Sequence, residues 1–315
     1  MRKLGFVLFA ALSATSAKAD DSCTLTRLAS LDMAILPSGH LTVPITVAGA
    51  DRNFLVEFDD ADAAITKALA DELKLEPQAL SNRIRVDIAD QRVLGKVALP
   101  DVQIGTVHGK DVDMYVIPQL PPDSSVAGTL GTKLLKSFDV ELDFKSGKLN
   151  LYSPTACQGN TVYWAHSYAA VPFQLDRFGF VHFQMQLDGK PLDVTIDTDS
   201  EHGRMGTTAA KTLFGIESNS PDLKPVRGSS NEAASYIYPF KSLSVGDVAI
   251  YNPMITLDPD TADAPDSRCR GQRQAGDYCF GGSDLRIGLA ELRLLRAYFS
   301  FRENMLYVTA ADAHK

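Results

Sequence analysis

The chain repeats itself once, and this duplication restricts the possible folds more than any other feature of the sequence. Residues 39–75 align without a gap over residues 179–215, at an offset of 140. Further along, residues 130–152 align over residues 287–309 at an offset of 157. A repeat of this length is far longer than the units of solenoid proteins, so it predicts two similar lobes rather than a stacked array.

The two offsets also locate an insertion in the second unit. The offset grows from 140 to 157 because the second unit carries an extra loop, at residues 258–283. We therefore predict a first lobe at residues 20–160 and a second lobe, with the inserted loop, at residues 165–315. The two lobes are expected to be related by an approximate twofold axis.

Within each unit the residue pattern predicts mainly β-structure. An alternating segment, a two-residue turn and a second apolar segment predict a hairpin at residues 42–56 and again at residues 182–196. Helix-like stretches follow at residues 66–74 and 207–214. The expected fold class is thus all-β with short helices, in which each lobe is a small closed sheet.

The first nineteen residues match a secretory signal peptide. Arg2 and Lys3 precede an apolar stretch, residues 5–12, that is too short to span a bilayer, and residues 17–19 form a small-residue cleavage pattern. We expect cleavage before Asp20 and a secreted or periplasmic mature protein.

The four cysteines are expected to form two disulfides. An even number of cysteines in an exported chain favours disulfides, and four cysteines allow three connectivities. Cys269 and Cys279 lie ten residues apart and would close one loop, which leaves Cys23 to pair with Cys157. No CxxC spacing and no neighbouring histidine pair support a metal centre here.

The charge of the chain argues against a nucleic-acid partner. The sequence has 31 basic and 39 acidic residues, a net charge of -8, and no block rich in lysine and arginine. Removing residues 1–19 leaves 28 basic residues and a net charge of -11. No apolar run reaches the roughly 18 to 20 residues of a membrane span. We expect a monomer without a cofactor.

Each unit resembles the retropepsin-like aspartic protease family. The resemblance consists of a hairpin running into an apolar-apolar-Asp-Thr-Gly motif, then a later apolar-Gly pair and a terminal hairpin. Leu130-Gly131 and Ile287-Gly288 occupy the apolar-Gly positions. The resemblance covers nearly the whole mature chain. The chain as a whole resembles exported bacterial proteins that contain two such units in tandem. It implies two β-barrel lobes with pseudo-twofold symmetry and a site between them that accepts a polypeptide.

Both copies of the catalytic motif depart from the family pattern. In the second unit Asp197 matches the catalytic aspartate and Thr198 the threonine, but Asp199 replaces the glycine. In the first unit the same three positions hold Glu57, Phe58 and Asp59. The resemblance makes Asp197 and Glu57 the catalytic candidates.

The altered residues predict an impaired enzyme. Aspartic proteolysis needs two carboxylates that share one proton and activate a water molecule. Phe58 has no hydroxyl to brace the lobes, and Glu57 has a longer side chain than aspartate. Asp59 and Asp199 add like charges, which raise neighbouring pKa values. Peptide-bond hydrolysis, if retained, is expected to be slow.

A non-catalytic role is the alternative. The same fold could hold a peptide or cell-envelope partner along strand edges, beneath hairpin flaps near residues 90–91 and 228–230. The acidic stretches beginning at Asp59, Asp197 and Asp258 could also supply oxygen ligands to an irregular Ca²⁺ site. An EF-hand is excluded, because glycine and glutamate are missing at the sixth and twelfth positions of the loop.

Overall fold

A computed structural model describes most of the chain. The described residues are 24–81, 86–89, 91–120, 126–154, 161–176, 178–226, 235–259 and 282–313. The expected signal peptide, all four cysteines, Asp90, residues 228–230 and most of the inserted loop lie outside these ranges. The disulfide pairings and the second flap therefore stay predictions.

The first half of the described chain contains strands β1–β14 and helices α1 and α2. Their bounds are β1 Arg27–Asp32, β2 Ala34–Ile35, β3 Leu41–Val47, β4 Ala50–Val56, β5 Ala64–Thr66, α1 Lys67–Glu72, β6 Asp87–Ile88, β7 Gln91–Arg92, β8 Gly95–Leu99, β9 Val102–Ile104, β10 Val107–Gly109, β11 Val112–Ile117, β12 Val126–Leu130, α2 Thr132–Leu135, β13 Asp139–Asp143 and β14 Lys148–Tyr152.

The second half contains strands β15–β26 and helices α3 and α4. Their bounds are β15 Ala169–Leu175, β16 Val181–Leu187, β17 Lys190–Ile196, β18 Arg204–Gly206, α3 Thr207–Phe214, β19 Lys224–Pro225, β20 Tyr236–Pro239, β21 Ser242–Val245, β22 Val248–Tyr251, β23 Met254–Asp258, β24 Leu285–Ile287, α4 Leu289–Leu292, β25 Leu295–Ser300 and β26 Met305–Ala310.

Both predicted hairpins are present, one near the start of each half of the fold. Strands β3 and β4 pair antiparallel, as do β16 and β17. Asp188 and Gly189 connect β16 to β17 with φ angles of 49° and 77°. Both angles are positive, as a type I′ turn requires, and this turn matches the right-handed twist of the strands. The all-β prediction with short helices is confirmed.

Helix α1 is shorter than the predicted stretch at residues 66–74, and helix α3 coincides with the predicted stretch at residues 207–214. Helix α1 begins after Thr66, whose hydroxyl accepts a hydrogen bond from the Leu69 amide at 3.3 Å. It ends before Lys74, which has a positive φ of 56° that a right-handed helix cannot continue. No helix in the described part of the chain is long and apolar enough to cross a membrane.

Each lobe contains the same parallel strand pair. Strand β12 runs parallel to β4, with Leu130 opposite Val56, and β24 runs parallel to β17, with Ile287 opposite Ile196. These two pairs differ by the offsets of 157 and 140 that the sequence repeat shows. In both lobes the loop that follows β4 or β17 therefore starts beside the apolar-Gly motif.

Six neighbouring strands of a 15-stranded sheet join the lobes, in the order β1-β14-β13-β25-β26-β15. At its centre β13 pairs with β25, with Glu141 opposite Tyr298. These two residues are themselves 157 positions apart, so the pseudo-twofold axis passes between them. The axis brings the loops after β4 and β17 together at the interface of the lobes.

Candidate active site

Equivalent backbone contacts fix the start of the two loops. The Glu57 amide donates to the Leu130 carbonyl at 3.1 Å, and the Asp197 amide donates to the Ile287 carbonyl at 3.0 Å. Glu57 and Asp197 thus occupy the same backbone position in the two lobes. Both side chains are buried, at 5% and 2% exposure.

The apolar-Gly motif allows the loops to come this close. A Cβ atom placed on Gly131 would lie 2.6 Å from the Asp62 carbonyl oxygen, and one on Gly288 would lie 2.7 Å from the His202 carbonyl carbon. Any side chain there would therefore collide with backbone. Leu130 precedes the glycine in the first lobe, as Ile287 does in the second, and is buried with it.

Asp197 is held by two hydrogen bonds from its own loop. The Asp199 amide donates to Oδ1 at 3.2 Å, and the Ser200 hydroxyl donates to Oδ2 at 3.0 Å. Sequence reasoning missed Ser200. Its signal was a short hydroxyl side chain three residues after a loop carboxylate, a spacing that local side-chain hydrogen bonds commonly use.

Thr198 braces the two lobes against each other. Its hydroxyl donates to the Val56 carbonyl of the first lobe, and its own carbonyl accepts from the Leu41 amide at 3.1 Å. Thr198 is buried, at 1% exposure. The second lobe therefore supplies half of the brace that the family resemblance implies.

Thr198→Val is expected to lower the free energy of unfolding by about 1–3 kcal/mol, because the buried Val56 carbonyl would lose its hydroxyl donor. Urea unfolding followed by circular dichroism measures the change. Thr46→Val is the matched control, since the Thr46 hydroxyl bonds to Asp51 at the surface of a hairpin. Equal stability losses in the two variants would contradict the role of the brace.

Phe58 replaces the missing half of the brace with an apolar contact. Its ring is fully buried and lies 4.9 Å, centroid to centroid, from the ring of Phe299 on β25. Phe58 belongs to the first lobe and β25 to the second half of the joining sheet. The lobes are thus joined here by aromatic packing where the family has a hydroxyl.

Three carboxylates converge at the interface. Oxygen atoms of Asp59, Asp197 and Asp199 all lie within 4.8 Å of one another. The Glu57 carboxyl is hydrogen-bonded to Asp59. The structure therefore brings Asp59, not Glu57, into this group of three, while the catalytic assignment of Glu57 stays a prediction.

The carboxyl groups of Glu57, Asp59 and Asp197 retain protons more strongly than usual, because their pKa values are raised. Burial and the charges of Asp59, Asp199 and Asp60 raise the pKa of Glu57 well above its ordinary value. Burial raises the pKa of Asp59 to about 6 and that of Asp197 to about 7, with Asp199 adding to the shift of Asp197. The cluster thus changes its charge near neutral pH.

These shifts predict that the cluster loses stability as pH rises. An aspartate has a pKa near 3.9 when unfolded, so between about pH 4 and 7 the folded Asp59 and Asp197 bind more protons than the unfolded chain. Their stabilising contribution is complete below about pH 4 and is lost through pH 6–7. Urea midpoints at pH 4.5 and 7.5 should differ more for the wild type than for Asp197→Asn. An identical pH dependence would contradict the shift.

Arg286 supplies positive charge beside the cluster. It lies on β24, and its charge lowers the pKa values of both Asp59 and Asp197, against the stronger effect of burial. The three carboxylates are the group that the alternative Ca²⁺ site would use. Calcium takes six to eight oxygen ligands, and the nearby guanidinium opposes a cation, so the fit is incomplete and we propose no metal here.

The other acidic residues of these loops are engaged in structural contacts. Asp60 accepts a hydrogen bond from the Ala89 amide at 2.8 Å, which ties the β6–β7 hairpin to the loop. Asp62 pairs with Lys133, and Asp258 accepts from Arg204 at 2.7 Å.

Glu291 is a buried acid that sequence reasoning did not single out. Its Oε2 accepts from the amides of Gly203 and Gly288, both at 2.9 Å. Burial raises its pKa to about 7, although the two amide bonds work against that shift. The side chain fastens the end of the Asp197 loop to the apolar-Gly motif.

A family comparison supports the resemblance in one lobe. Residues 43–134 match the family model described as "Aspartyl protease". This range contains Glu57, Phe58, Asp59 and the Leu130-Gly131 pair. No curated protein sequence matches the chain significantly.

Two solved structures are similar to the chain. Basic 7S globulin from soybean is 11% identical and has a TM-score of 0.52, covering 92% of this chain and 96% of the globulin. A retropepsin-like aspartic protease from Rickettsia conorii is 20% identical over 42% of this chain and 96% of its own, with a TM-score of 0.30. The globulin match, which spans both lobes, shows a shared fold.

Proposed function

We propose that this chain is a relative of the retropepsin-like aspartic proteases and hydrolyses peptide bonds slowly at the lobe interface. The family match over residues 43–134 and the shared fold support this proposal. The acid–base pair in this proposal is Asp197 and Asp59. The substrate is an extended polypeptide, and the site of action is outside the cytoplasm, as the signal-peptide pattern suggests.

The observation that carries this proposal is the complete set of contacts around Asp197. The Asp199 amide and the Ser200 hydroxyl hold its two oxygens, and Thr198 fastens the loop to the opposite lobe. A general acid or base must be held in a fixed orientation by such bonds to act efficiently. A purely structural aspartate at a strand end needs none of the cross-lobe contacts.

Asp59 is the better partner for Asp197 than Glu57. An oxygen of Asp59 lies within 4.8 Å of one on Asp197, in a group of three carboxylates that does not include Glu57. In the proposed mechanism Asp59, with the lower pKa, carries the negative charge and takes a proton from water. Asp197 keeps its proton and donates it to the carbonyl oxygen of the substrate as the water attacks.

The rate is expected to be low. Asp59 reaches the interface from the third position of its loop, where the family has glycine, so its geometry differs from that of a symmetric pair. A misplacement of about 1 Å can cost roughly a hundredfold in rate. Phe58 supplies no hydroxyl group that could hold the acid–base pair in the correct geometry. The altered residues thus lower the rate without removing the acid–base pair.

The experiment is a proteolysis assay with the purified mature protein. A reduced and alkylated protein is incubated with it from pH 3 to pH 8, and new peptide ends are identified by mass spectrometry. Activity requires one ionised and one protonated carboxyl group, so we expect a maximum between about pH 6 and 7. A complete absence of cleavage at every pH would refute hydrolysis.

A peptide-binding role without hydrolysis is the second candidate, and the burial of Phe58 favours it. The contact between Phe58 and Phe299 uses the position of the family's hydroxyl for packing, which stabilises the interface at the expense of catalytic geometry. In this case labelled unfolded peptides should bind, by fluorescence anisotropy, with no cleavage. Asp197→Asn should then bind them as well as the wild type does.

A further inference from the structure

A pocket of about 600 Å³ is lined by residues outside the loops that carry Asp59 and Asp197. Both halves of the chain line it. Met33 and the β13–β14 turn, with Phe144 and Lys145, come from the first half, and Arg293 and Leu294 come from the second. We call this the hairpin pocket. Its volume falls within the roughly 300–1,000 Å³ that is typical of small-molecule sites.

The fold itself does not require this pocket. The Met33 amide donates to the Gly147 carbonyl, and at the equivalent place in the second half the Phe173 amide donates to the Asn304 carbonyl. There Phe173 and Phe301 are buried, with ring centroids 5.4 Å apart. Aromatic side chains thus fill the region that the smaller Met33 leaves open in the first half.

Exposed apolar side chains surround the opening. Ile35 is 40% exposed and Leu294 is 54% exposed, and both line the pocket together with Leu41 and Phe144. Leu294 replaces the polar Ser137 of the first half, at the offset of 157. Apolar groups gathered at a concave site are typical of a surface that buries an apolar ligand.

Two cations lie at the same pocket, in a chain whose net charge is -8. Lys145 and Arg293 line it, with one carboxylate, Asp312. Arg293 uses one nitrogen to bond Glu201 at 2.6 Å, and its Nε is buried with no hydrogen-bond partner. A buried donor without a partner is unfavourable, and an anionic ligand group near Arg293 would offset part of that cost.

We propose that the hairpin pocket binds a medium-chain fatty acid. The alkyl chain packs on Met33, Phe144 and Leu294, and the carboxylate lies between Lys145 and Arg293. Apolar walls with a small number of placed polar groups are the usual form of such a site. This site is separate from the proposed peptidase site and does not depend on it.

The test is isothermal titration of the full mature protein with dodecanoate, below its micelle concentration. Leu294→Glu removes apolar contact and places a like charge beside the carboxylate, and we expect its affinity to fall at least about tenfold. Ser137→Glu is the matched control, because Ser137 is exposed at the equivalent position of the first half. This variant should bind dodecanoate as tightly as the wild type does. Arg293 is left intact because it also holds Glu201.

A second comparison tests the charge. Lys145→Gln should weaken dodecanoate binding several-fold and leave the binding of neutral dodecanol unchanged. No saturable binding to the wild type, or equal affinities for Leu294→Glu and Ser137→Glu, would overturn the site. Equal affinity of the wild type for dodecanol and dodecanoate would overturn the carboxylate contact. Circular dichroism of each variant confirms that a loss of binding is not a loss of fold.

Discussion

Asp197→Asn is expected to lower kcat/KM for peptide hydrolysis by about a hundredfold to ten-thousandfold. General acid–base catalysis by a positioned side chain contributes roughly 10²–10⁴-fold, and asparagine cannot exchange the required proton. The substitution is close to isosteric, and the bonds from Ser200 and the Asp199 amide can in part persist. Steady-state kinetics with a fluorogenic peptide found by the proteolysis assay gives the measurement.

Matched variants decide which carboxylate is the partner. Asp59→Asn should cost about as much activity as Asp197→Asn, whereas Glu57→Gln should cost clearly less, because Glu57 lies outside the group of three carboxylates. Asp62→Asn is the control, since Asp62 pairs with Lys133 outside the group of three. If Glu57→Gln abolished hydrolysis and Asp59→Asn did not, the pair would be Glu57 and Asp197.

Phe58→Ala is expected to lower the free energy of unfolding by about 3–5 kcal/mol. Truncation of a fully buried phenylalanine removes apolar contact and leaves a cavity that surrounding side chains fill only in part. The loss is large against the roughly 5–15 kcal/mol that stabilises most domains. Here it also removes the ring contact with Phe299, which joins the two halves.

Chemical denaturation followed by tyrosine and tryptophan fluorescence measures this loss. Phe214→Ala is the control, because Phe214 is only partly buried at the end of α3 and should cost less. A loss below about 1 kcal/mol for Phe58→Ala would show that the interface does not depend on this ring. Phe58→Thr should also be destabilised, since the hydroxyl does not refill the cavity.

The sequence by itself determined the duplication and most of the local structure. The offsets of 140 and 157 reappear in the backbone pairing of both lobes, because the repeated apolar alternation sets which face of each strand is buried. The turn at Asp188-Gly189 was also readable, because few residues adopt two successive positive φ angles. The apolar-Gly motif was recognised because it recurs at equivalent places in both units, as the family resemblance implies.

The register of the repeat also placed Glu57 and Asp197 at equivalent backbone positions. It did not show which side chains approach across the interface. Asp59 and Asp197 are 138 positions apart, and their proximity depends on how the two lobes meet. Ordinary periodicity contains no information about such a distance, because it describes one strand at a time.

Only the tertiary structure decided the chemical environment of the site. It showed Ser200 bonded to Asp197, and Phe58 packed on Phe299. It also showed that Met33 lines a pocket, whereas the equivalent residue of the second half, Phe173, is buried. The contact of Phe58 with Phe299 and the shape of the pocket depend on which side chains from distant segments share a volume. Packing between the lobes sets this arrangement of side chains, and it exists only after the whole chain has folded.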